Sequence, residues 1–78
     1  MMIKTLVKTP TGAWVAPESI DALYPDYKPG SNNLNVYAVV NGIDIVIEEI
    51  PVSLSNGGII DATAKANEFI EKFIDRNV

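Results

Sequence analysis

The chain contains no cysteine and no histidine. The first absence excludes disulfides and thiolate metal sites. The second removes the commonest metal ligand, the commonest general base and the usual physiological-pH switch. Cations are sparse: six Lys and Arg stand against ten Asp and Glu, a net charge of −4. Lys4 and Lys8 are the only basic residues before Lys28, and nowhere do three cluster. The basic stripe of a generic nucleic-acid binder is therefore missing. No apolar run approaches the roughly 20 residues that span a bilayer, and the first eight residues hold no signal-peptide core. These features predict a soluble cytoplasmic protein with no membrane partner.

A hydrophobic fraction of 47% is that of a folded domain rather than a disordered chain. The length of 78 residues allows one domain, residues 1–78. A domain of this size buries only about 60% of its unfolded surface. With disulfides and thiolate metal sites excluded, self-association is the remaining aid to stability.

The strongest local signal is Asn41-Gly42 between two β-branched runs, because a type I′ turn needs positive φ at both central residues. That turn predicts Val40 opposite Ile43, Ala38 opposite Ile45 and Val36 opposite Ile47, all facing a core. The other face then pairs Val39 with Asp44, Tyr37 with Val46 and Asn35 with Glu48. Residues 3–8 and 13–16 predict an earlier hairpin around Thr9-Pro10-Thr11-Gly12, a sequence suited to a type I turn. Pro17 to Leu23 predicts a short helical turn. Tyr24 to Asn33, rich in Pro, Gly and Asn, predicts a loop.

Pro51 ends the second hairpin, Ser55 to Gly58 predicts a turn, and Asp61 is a good N-cap. Beyond it Ala62, Ala66, Phe69, Ile70, Phe73, Ile74 and Asn77 recur at helical spacing. Glu68 and Lys72 form a favourably oriented i,i+4 pair. The expected architecture is α+β: an antiparallel sheet of about four strands, from two hairpins, with one C-terminal helix packed on one face.

No constellation for catalysis emerges. Glu48 and Glu49 are adjacent on a strand and point to opposite faces. Asp44 and Glu48 share a face but stand roughly 13 Å apart along a regular strand. Asn56-Gly57-Gly58 lacks the Lys-Ser/Thr of a phosphate-binding loop. The serines have no histidine partner and no nucleophile elbow. The chain is expected to be non-enzymatic, with no catalytic or metal residues, no cofactor and no small-molecule substrate.

Met2-Ile3, Thr11-Gly12, Val15-Ala16-Pro17-Glu18-Ser19-Ile20 and the run Asn41-Gly42-Ile43-Asp44-Ile45-Val46-Ile47-Glu48 together resemble the FlbD-like family of small bacterial proteins associated with flagella. Small phage accessory proteins look similar. The resemblance implies a non-enzymatic bacterial or phage protein and carries no site residues.

The expected function is protein–protein interaction, with self-association as a homodimer through the hairpin face of Tyr37, Val39, Val46 and Asp44. One alternative is an acidic decoy or inhibitor of a nucleic-acid-binding protein. Another is single-strand nucleic-acid binding through Trp14 and the tyrosines.

Overall fold

Asn41 and Gly42 both take positive φ, 52° and 79°. This closes the type I′ turn and sets Val40 opposite Ile43, as expected, but Ile43 at the tip of the hairpin is 64% exposed rather than in the core. The computed structural model describes residues 5–28, 30–53 and 58–77, with the side chain of Asn77 excepted. Within them the order is β1 (Val7–Lys8), β2 (Trp14–Val15), a 3₁₀ turn (Pro17–Ser19), β3 (Ala22–Tyr27), β4 (Asn33–Val40), β5 (Ile43–Pro51) and α1 (Gly58–Asn77). Ile3, Lys4 and residues 55–57 of the turn expected at 55–58 lie outside the described residues, and Gly58 already belongs to α1.

The fold is α+β, with five strands in two antiparallel sheets and one C-terminal helix. The expected four-stranded sheet divides. β1 and β2 form a two-stranded ribbon, and β3-β4-β5 form a three-stranded meander.

The ribbon turns as its sequence suggests. Gly12 takes φ 89° and its N–H donates to the Thr9 carbonyl at 3.0 Å. The buried Thr9 hydroxyl accepts from the Ala13 N–H at 3.0 Å, while the Thr9 N–H donates to the Ala13 carbonyl at 2.7 Å.

The expected loop and hairpin register both need correction. The loop at 24–33 is largely strand: β3 occupies Ala22–Tyr27 and pairs along β4. Pro25 is compatible with this because β3 is an edge strand, where a missing N–H can face solvent. The helical turn shrinks to Pro17–Ser19, and by Asp21 the N–H already bonds the Val39 carbonyl at 2.8 Å. The β3–β4 connection is short. Gly30 takes φ 87°, and the Ser31 N–H bonds the Lys28 carbonyl at 3.0 Å.

The second correction is a bulge. Register follows expectation through Tyr37–Val46, then shifts so that Val36 faces Glu48 and Asn35 faces Glu49. Ile47 and Ile50 are both buried, at 8% exposure each. Three residues apart on a regular strand, they would point to opposite faces. One extra residue in β5 brings both to the same side.

That side receives the helix. Leu34, Val36, Ala38, Ile47 and Ile50 pack with Ala62 and Ala66, and with the half-buried Leu23, Tyr27, Phe69, Ile70 and Phe73. Ile74, expected in the stripe, is 47% exposed. Helix α1 starts three residues before the expected Asp61 cap. Asp61 lies in the first turn, where its charge favours the dipole, and it pairs with Lys65 at 3.5 Å. Glu68 and Lys72 pair at 2.7 Å, as expected.

Ala66 is completely buried between helix and sheet. Ala66→Leu should therefore overpack the contact and lower the unfolding free energy by about 1–3 kcal/mol. Ala64→Leu, on the exposed side, should change it by no more than about 0.5 kcal/mol. Urea denaturation of the two variants checks this.

Candidate functional site

Strand alternation divides the meander's side chains between two faces. Leu23, Pro25 and Tyr27 of β3 align with Ala38, Val36 and Leu34 of β4 on the helix side. The intervening residues form three cross-strand rows on the opposite, open face. These are Ala22–Val39–Asp44, Tyr24–Tyr37–Val46 and Asp26–Asn35–Glu49. Tyr37, Val39, Val46 and Asp44 all fall there, as expected from the hairpin register. Tyr24, Asp26 and Ala22 join them. They escaped the sequence reading because Pro25, Pro29 and Gly30 mark 24–33 as a loop.

The centre of this face is aromatic and apolar. The Tyr24 and Tyr37 rings stack with centroids 5.2 Å apart and planes 20° apart, an arrangement worth about 0.5–1.5 kcal/mol beyond area burial. Val46 flanks Tyr37 on the far strand. Tyr24, Tyr37, Val39 and Val46 are each half-buried, and none belongs to the helix-side core.

The margin is acidic. Asp26, Asp44 and Glu49 are exposed. The ion pairs Asp61–Lys65 and Glu68–Lys72 lie on the helix. Among the described residues no ion pair engages the three marginal carboxylates. Asn35 donates a long 3.4 Å bond to the Tyr37 hydroxyl, and its buried Oδ1 has no donor.

Partial burial, followed by the charge and hydrogen bonding of Asp44 and the charge of Asp26, raises the Tyr24 phenol above its ordinary value. The bulge separates Asp44 from Glu48, correcting the expectation that they share a face: Asp44 faces Val39 and Glu48 faces Val36. The Glu48 carboxylate instead accepts the Glu49 N–H at 3.1 Å.

Trp14 stands elsewhere. It lies on the two-stranded ribbon, 60% exposed, with the Lys8 ammonium 5.9 Å from its ring centroid. Tyr27 packs toward the core. Trp14 and the tyrosines therefore do not share one stacking platform. Among the described residues no three metal-ligating side chains cluster, and no helix is long and apolar enough to cross a membrane.

Compared with protein-family models, curated proteins and solved structures, the chain matches none. The functional reading rests on the geometry of the open face.

Because the folded chain holds the Tyr24 proton more tightly than the unfolded chain, this linkage stabilises the fold below pH ~10. It is lost as pH rises through the folded value. Tyrosinate absorbance should show the Tyr24 phenol ionising above its ordinary value, and Asp44→Asn should bring it down.

Proposed function

We propose that this chain is a non-enzymatic protein that works by binding another protein chain across the open face of its three-stranded sheet. One observation carries the reading. Helix α1 covers one face, and the other presents Tyr24, Tyr37, Val39 and Val46 as a contiguous apolar patch. Aromatic residues with an apolar centre and a polar rim are the composition of protein interfaces. The absence of histidine and cysteine favours binding over catalysis. The FlbD-like resemblance supports a place among small bacterial or phage accessory proteins acting in the cytoplasm.

A bound partner would also stabilise so small a domain by mass action. A photo-reactive amino acid placed at Val39 tests the reading in cells that make the protein. The expected result is a discrete covalent adduct to a protein chain from position 39 and none from exposed Ala64 on the helix. An adduct of twice the chain mass would identify the partner as a second copy. No adduct from position 39, or equal labelling from both positions, would contradict the proposal.

A further inference from the structure

The charges around the patch say what kind of chain fits it. Asp26 and Asp44 stand at opposite corners of the face, on the two outer strands, with Glu49 at the outer edge beyond Asn35. Lys28 follows the end of β3, and Lys65 and Lys72 of the helix line a cavity with Glu49, so the acidic character of the face rests on Asp26 and Asp44. Tyr24 sits between Asp26 and the reach of Asp44. Among the described residues β3 is an edge strand with no strand paired beyond it, and the Tyr24 ring stacks on Tyr37 on its inner side. An aromatic ring with carboxylates nearby attracts a cation both through the ring quadrupole and through charge.

We infer that the partner presents a basic, extended segment to this face, with a lysine or arginine seated against Tyr24 between Asp26 and Asp44 and apolar side chains on Tyr37, Val39 and Val46. The inference rests on the open face being a protein interface, and it names the partner's chemistry. A second copy of the chain fits less well. It carries the same acidic margin, and like charges brought together across an interface disfavour association. A nucleic acid would set its phosphates against the same carboxylates. A basic protein segment meets both the aromatic floor and the acidic rim.

The test is a titration of the ¹⁵N-labelled full chain with a short peptide alternating arginine and valine. A peptide with glutamate in place of arginine serves as the control. The expected result is amide shifts concentrated on Tyr24, Asn35, Tyr37, Val39 and Val46 with the basic peptide and none with the acidic one. The affinity should fall about tenfold in the Asp26→Asn, Asp44→Asn double variant, from the loss of two exposed charge contacts. It should be unchanged in Glu71→Gln on the helix. Tyr24→Leu keeps the apolar area and should weaken binding by removing the ring.

Shifts spread equally over Glu68, Glu71 and Asp75, or an affinity indifferent to the double variant, would reduce the effect to nonspecific attraction and overturn the inference. If the basic peptide leaves the face unmoved while position 39 still crosslinks to a protein, the basic partner is wrong and the interface stands. If position 39 yields no adduct either, both fall.

Discussion

Two alanines set the spacing on which the molecule depends. Ala62 and Ala66 let the helix approach the sheet directly over Val36 and Ala38, and Ala66, Val36 and Ala38 reach zero exposure. Phe69, Ile70 and Phe73 then fill the space further along the helix. This contact anchors a core built without disulfides and with few large side chains. It also decides which sheet face is spent on stability. A helix of 20 residues is about 30 Å long, enough to cross three strands on one face only.

The bulge in β5 serves the same contact. A nine-residue strand faces an eight-residue one, and the additional residue turns Ile47 and Ile50 toward the helix together. It also moves Glu49, rather than Glu48, into line with Asn35 on the open side. Core demand at one end of the strand thus determines which carboxylate borders the patch. The open face inherits its composition from alternation: wherever β4 places Val36 or Ala38 inward, it places Asn35, Tyr37 or Val39 outward.

Much of this was legible in the residues. Asn41-Gly42 fixed the turn and, with it, the placement of Tyr37, Val39, Asp44 and Val46. The Ala/Phe/Ile spacing announced the helix and its sheet-facing stripe. The bulge was also written, as a phase slip from Ile43-x-Ile45-x-Ile47 to Ile50, but only a core that needs both isoleucines reveals it. β3 was hidden because Pro25, Pro29 and Gly30 are loop residues by local preference, and only pairing with β4 overrides them. With β3 went Tyr24 and Asp26, so the aromatic pair and one acidic corner of the site were invisible. The helix start was misplaced for a related reason: Asp61 is as favourable in the first turn as at the cap.

The account turns on the open face being uncovered in the free chain and ready for a partner. The most direct measurement is methyl-proton relaxation in a soluble paramagnetic probe. The methyls of Val39 and Val46 should broaden strongly, while those of Val36 and Ile47 should be spared at every protein concentration. Val39 and Val46 protected as fully as Val36 would mean that something in the free protein already covers this face, and would contradict the account.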